Sequence, residues 1–296
     1  MQKSFNYQSS LISYRIEGKG KAVLLLHGFG EEGSIWDQQV LFLKDHCLLI
    51  IPDLPGSGGS ERLSLESGVR SGELEKKNTN QNTTLSSQTP DSRLLTPDYI
   101  SIDDYADCIK ALLVQEGISS CTLLGHSMGG YICLAFAEKY PNLLNGFGLI
   151  HSTAFADAEE KKKIREKAIE LIEAYGPHPF LRNTIPNLFG SGFKKLYPQK
   201  INTLIEAAAQ FSKESLQQYY KAMMFRPDRS QILLSNRLPI LFVAGKEDIA
   251  VPFPDILKQA SLPNISYLCI LENSGHMGMW EETEKLNEIL LNFIYR

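Results

Sequence analysis

No stretch of eighteen apolar residues occurs in the 296-residue chain, so the sequence encodes no ordinary membrane-spanning helix. Charge of one sign is also missing. Thirty Lys and Arg against 34 Asp and Glu leave a formal charge of -4, which gives no basic footprint for holding nucleic acid. The five cysteines (Cys47, Cys108, Cys121, Cys133 and Cys269) are odd in number and form no C-x-x-C pair. Set mostly among apolar neighbours, they read as buried thiols in a reducing compartment. The opening MQKSFNYQSS is polar, without the apolar core of a secretory signal. A cytoplasmic protein is expected, with neither nucleic acid nor membrane as partner. There is no H-E-x-x-H pair and no P-loop, and no G-x-G-x-x-G is read as a phosphate turn opening a helix. Neither metal nor organic cofactor is expected.

What is present is 43% hydrophobic residues, enough for one large core. Short apolar runs at 22–26, 47–51, 121–125, 146–150, 240–245 and 265–270 alternate with helical stretches near 35–44, 102–116, 128–139, 252–260 and 282–294. That alternation predicts an α/β fold, a mostly parallel central sheet with helices on both faces. Ligands of such sheets sit beyond the carboxyl ends of the strands. The alternating run 11–17, followed by Gly18-Lys19-Gly20, predicts a hairpin leading into the strand at 22–26.

Two segments break the pattern. Residues 61–97 are polar and aperiodic, with too few large aliphatic side chains to bury a face, and read as a mobile excursion without chemistry of its own. Leaving the carboxyl-end side of the sheet, it could serve as a second lid over the pocket entrance. Residues 154–235 are helical in composition and carry ten aromatics, which line an apolar pocket or pack helices together. They predict an inserted helical cap between core segments 1–153 and 236–296. The basic run KKKIREK at 161–167, flanked by acids, reads as a solvated helix face with i,i+4 pairs rather than a phosphate grip.

The densest chemistry lies in LLGHSMGGYIC, residues 123–133, where Gly125, Ser127 and Gly129 match G-x-S-x-G. A turn tight enough to push a hydroxyl out at the end of a strand tolerates no bulk two residues to either side. A serine hydroxyl is a weak nucleophile, so it needs a base and an acid that orients the base. Asp248 follows the run ILFVAG and His276 follows ISYLCI, in the order Ser, Asp, His. Glu247 and Asp255 compete with Asp248, whose D-x-x-V-P context favours it. The other histidines precede Asp248, which leaves His276 as the base; His27 and His126 are expected to shape their loops.

With LLLHGFG at 24–30, IPDLPGSGGS at 51–60, GHSMGG at 125–130, GKEDIAVP at 245–252 and SGHMGMWEE at 274–282, the chain resembles the α/β-hydrolase superfamily. The resemblance implies a catalytic triad of Ser127, His276 and Asp248, with an oxyanion hole from the backbone N–H groups of Phe29 and Met128. It also implies hydrolysis of a small-molecule ester with an apolar portion. Serine at the elbow disfavours the superfamily's dehalogenases and epoxide hydrolases, which carry aspartate there, and GHSMGG departs from the GGSWG of its proline iminopeptidases. Carbon–carbon bond or thioester hydrolysis, a lyase step, or a ligand receptor that keeps the fold stand as alternatives.

Overall fold

The computed structural model describes residues 1–65 and 99–296. Most of the expected excursion over 61–97 therefore lies outside the described residues. Of its five described residues, Leu63 is buried in the core and its carbonyl accepts a 3.0 Å hydrogen bond from Gln218, while Glu61, Arg62, Ser64 and Leu65 are exposed.

Eight strands among the described residues form one sheet: β1 (Gln2–Tyr7), β2 (Ser10–Glu17), β3 (Ala22–Leu26), β4 (Leu48–Pro52), β5 (Cys121–His126), β6 (Leu144–Ile150), β7 (Ile240–Gly245) and β8 (Ser266–Leu271). Their spatial order is β1-β2-β4-β3-β5-β6-β7-β8. Strands β4, β3, β5, β6, β7 and β8 run parallel to one another, while β2 lies antiparallel to both β1 and β4. Every side chain of β5 and β7 is buried, as continuous apolar runs require when helices cover both faces.

One expectation fails here. The hairpin partner of β2 is β1, around a turn in which Gln8 holds φ 54°, and β4 separates β2 from β3. The turn at Gly18 (φ 81°) does not fold the chain back on itself; a Cβ there would meet the Cys47 carbonyl oxygen at 2.1 Å. The wholly apolar AVLLL gains more by burial between two parallel neighbours than by pairing beside the polar-faced β2.

Helices α1 (Asp37–Leu43), α2 (Ile102–Gln115) and α3 (Met128–Lys139) connect the earlier strands. Six more lie between β6 and β7: α4 (Glu159–Tyr175), α5 (Pro177–Thr184), α6 (Ser191–Leu196), α7 (Pro198–Ala208), α8 (Lys213–Met224) and α9 (Ser230–Ser235). The chain ends with α10 (Phe253–Ala260), α11 (Gly278–Glu281) and α12 (Thr283–Ile294). Behind β5, α3 buries ten of its residues, so it is a central helix rather than an amphipathic one. No helix among the described residues is long and apolar enough to cross a membrane.

Candidate active site

Ser127 stands between β5 and α3 with φ 51° and ψ -113°, a conformation that costs an L residue on the order of 1–3 kcal/mol. The surrounding glycines explain how it is held. A Cβ on Gly125 would lie 2.3 Å from the carbonyl carbon of Gly129, one on Gly129 would lie 2.5 Å from the Leu26 oxygen, and one on Gly130 would strike Ser152 Oγ at 2.3 Å. Any larger residue would push α3 away from the strand ends. The turn is pinned by Ser127 N–H donating to the Ile150 carbonyl (2.9 Å) and Ser152 Oγ–H donating to the Ser127 carbonyl (2.7 Å).

The loop after β7 presents Asp248 and the loop after β8 presents His276. His276 Nδ1–H donates to Asp248 Oδ2 at 2.8 Å, and both residues are buried. The second oxygen, Oδ1, accepts the N–H groups of Ala250 (2.8 Å) and Val251 (3.0 Å). Burial alone would raise the carboxyl pKa, but His276 and His151 hold it well below the usual carboxylate range, so Asp248 is ionised. The rival acids are elsewhere: Glu247 is exposed and accepts Ser191 N–H at 2.8 Å, and Asp255 is exposed on α10. Ser127 and His276 line one cavity of about 570 Å³, together with Phe29. Met128 opens α3, so its N–H is a first-turn donor without an intrahelical acceptor, and Phe29 N–H has no protein acceptor among the described residues.

His151, at the end of β6, is a residue that reasoning from chain order passed over. Its Nδ1–H donates to the same Asp248 Oδ2 at 3.2 Å, and its Nε2 accepts the Gly278 N–H at 3.3 Å. Full burial outweighs the attraction of Asp248 and lowers its pKa to about 4, so the ring is neutral and fixed in one tautomer. Ligand atoms of His151, Asp248 and His276 fall within 4.8 Å of one another, a spacing that these two hydrogen bonds account for.

His126 has the structural role expected of it. Its Nδ1–H donates to Glu31 Oε2 (2.9 Å) and its Nε2–H to the His276 carbonyl (2.9 Å), while Glu31 Oε2 also accepts the Gly28 N–H (2.7 Å). Burial opposes both charges, but each partner favours the other's charged form: the His126 pKa is raised and that of Glu31 lowered. His27 Nδ1–H donates to the Gly28 carbonyl, and its Nε2 accepts the Leu54 N–H, both at 2.8 Å. The stretch Gly28 to Gly33 does have G-x-G-x-x-G spacing after a strand, which the sequence reading overlooked. Here the buried Glu31 carboxylate occupies the centre of that loop and would repel a pyrophosphate.

The opposite wall of the cavity comes from the inserted helices. Arg165 of α4 is 9% exposed, so KKKIREK is not a uniformly solvated face. Lys162 and Lys167 do pair with Glu159 (2.7 Å) and Glu170 (2.8 Å), at i,i+3 rather than the expected i,i+4. Arg165 shares a buried stripe with Ala168 and Ile172, a 3,4 spacing legible in the sequence had charge not been taken as a mark of exposure. Of the ten aromatics, Phe155 and Tyr220 line the cavity, while Phe189 stacks on Phe193 with centroids 5.1 Å apart.

Comparison with known proteins bears on the family and the fold. The α/β hydrolase fold family matches residues 21–175, and the chain belongs to that family. Among curated relatives it is similar to a 2-hydroxy-6-oxononadienedioate/2-hydroxy-6-oxononatrienedioate hydrolase of Paraburkholderia phymatum, 25% identical over 96% of this chain and 90% of the relative. It is 24% identical to a putative carbamate hydrolase of Serratia proteamaculans over 93% of this chain and 91% of that one. Among solved structures, a thermophilic esterase from Thermogutta terrifontis superposes with a TM-score of 0.83 at 23% identity, covering 100% of this chain and 98% of that one.

Proposed function

We propose that this α/β hydrolase cleaves small-molecule carboxylic esters through an acyl-enzyme formed on Ser127. The observation that carries the reading is the convergence of a strained serine elbow and the His276–Asp248 pair on one cavity. Ser127 Oγ attacks the ester carbonyl while His276 Nε2 takes its proton, and Asp248 holds the imidazole in the required tautomer. Negative charge gathers on the carbonyl oxygen, where the N–H groups of Phe29 and Met128 stabilise it. Collapse of the tetrahedral species expels the alcohol, protonated by His276, and a water activated by the same base then frees the acid. The helices of 154–235 act as a cap that sets the substrate's shape.

A second reading has its own support, since the named relatives include a dienedioate hydrolase and a putative carbamate hydrolase. In it the same triad splits a carbon–carbon or carbamate bond. The test is a fluorophosphonate probe followed by intact-mass analysis, then esters of rising chain length. Stoichiometric labelling of Ser127 with ester turnover supports the proposal. Labelling without turnover of any ester points to the second reading, and a protein that neither labels nor turns over is not a serine hydrolase.

A further inference from the structure

The buried charges of the inserted helices do not balance. Asp157 sits between two arginines: Arg165 Nε–H donates to its Oδ2, and Arg226 Nη1 pairs with its Oδ1 at 2.8 Å. Burial alone would raise the Asp157 pKa, yet the arginines hold it below the usual carboxylate range, so the trio carries one surplus positive charge. Both terminal nitrogens of Arg226 are occupied, although its buried Nε is not. Its Nη1 and Nη2 donate to the carbonyls of Met223 (2.6 Å) and Phe155 (2.8 Å), and its guanidinium lies 3.8 Å over the Tyr131 ring.

Arg165 is not occupied in this way. Among the described residues only its Nε finds an acceptor and the two terminal nitrogens have none, although the residue is nine-tenths buried and lines the cavity of Ser127 and His276. A charged donor pair that faces a cavity without a protein acceptor is left to water or to a bound ligand for its partner. Tyr131 repeats the observation independently. It is 3% exposed, lines the same cavity, and its hydroxyl has no partner among the described residues. Burial alone would raise its pKa, but Arg226, Lys161 and Arg165 outweigh that and lower it, which reports the positive potential there.

We infer that Arg165 and Tyr131 form an anion subsite of the catalytic cavity, and that the substrate is an ester bearing a carboxylate a few bonds from its scissile carbonyl. Tyr131 lies one helical turn beyond Ser127, about 6 Å along α3, which sets that short separation. A guanidinium with both terminal nitrogens free can donate to both oxygens of a carboxylate. The acids lining the mouth, Glu160 and Asp255, are exposed and solvated and do not cancel a buried charge. The inference rests on the ester reading for the bond that breaks, and on the cavity alone for the anion.

The experiment compares monomethyl glutarate with the neutral dimethyl glutarate, and adds 3-acetoxypropanoate, which carries its carboxylate on the alcohol side. One of the anionic esters should exceed dimethyl glutarate in kcat/KM by about tenfold to a hundredfold, and which one does so tells where the carboxylate sits. Arg165→Gln and Tyr131→Phe should each collapse that ratio, and Arg165→Lys should restore part of it. Should Arg165→Gln fail to fold, Tyr131→Phe decides, since it removes only a hydroxyl. Calorimetry of glutarate with Ser127→Ala separates the two readings. Binding that disappears when Arg165→Gln is added supports the subsite even where no ester is turned over, the outcome that overturns the ester reading alone. Equal turnover of neutral and anionic esters, or no glutarate binding, overturns the subsite.

Discussion

Two buried clusters of charge face each other across the cavity, and they are built by opposite rules. At the strand ends, Asp248, His151, Glu31 and His126 spend their polar atoms on one another and on backbone: both oxygens of Asp248 and both nitrogens of His151 and His126 have partners. On the other side, Arg165 of the inserted α4 and Tyr131 of α3 keep donors that no group among the described residues accepts. Complete pairing fixes geometry and leaves nothing for a ligand to gain. Incomplete pairing does the reverse, since the missing partner can be supplied only by water or by what binds.

The largest test of this contrast lies in the triad. Ser127→Ala, His276→Ala and Asp248→Asn should each lower kcat by about four to six orders of magnitude with the melting transition unchanged, measured on the best ester of the panel. Variants of Arg165 should act on substrate preference instead; a comparable kcat loss there would erase the distinction between the clusters. Next comes Glu31→Gln, which strands a buried His126. It should cost about 3–5 kcal/mol of unfolding free energy in urea, because breaking a buried pair leaves an uncompensated charge.

A smaller effect follows from His151, whose pKa is about 4 in the folded protein against an ordinary imidazole value of 6.5. The unfolded chain binds more protons there between those values, so stability is full above about pH 6.5 and declines as pH falls toward 4, by up to about 1.4 kcal/mol per unit. His151→Asn should flatten the fall in melting temperature over that window without abolishing it, because the lowered pKa of buried His27 has the same sign. An unaltered slope would mean that His151 is not held neutral. The smallest effect is expected for Glu247→Gln, whose turnover should stay within about twofold of wild type because exposed Glu247 contacts Ser191 and not His276. Ester kinetics alone decide it.

Sheet strands were legible because their burial is nearly complete: AVLLL and ILFVAG coincide with β3 and β7, residue for residue. The tight turn at Ser127 was readable for its own reason, since glycines that cannot take a Cβ leave a fixed spacing around it. Edge pairing was not, because β1 alternates weakly and only the fold decides whether β2 pairs with it or with β3. His151 and Arg165 escaped for a different reason. Their roles depend on residues 97 and 8 positions away respectively, and a charged or imidazole side chain looks the same in sequence whether water or a carboxylate receives it.

The Glu31–His126 joint also bears on how long an assembled site persists. Its hydrogen bonds span 95 residues to Glu31 and 150 to the His276 carbonyl. Contacts that close such long loops form late, after the entropy of bringing distant segments together has been met. Interactions absent from the folding transition state act almost wholly on the rate of unfolding. The joint therefore does little to hasten folding. It lengthens the lifetime of the state in which the loop after β3, the turn at Ser127 and His276 stand together, and so gives kinetic durability to the candidate site.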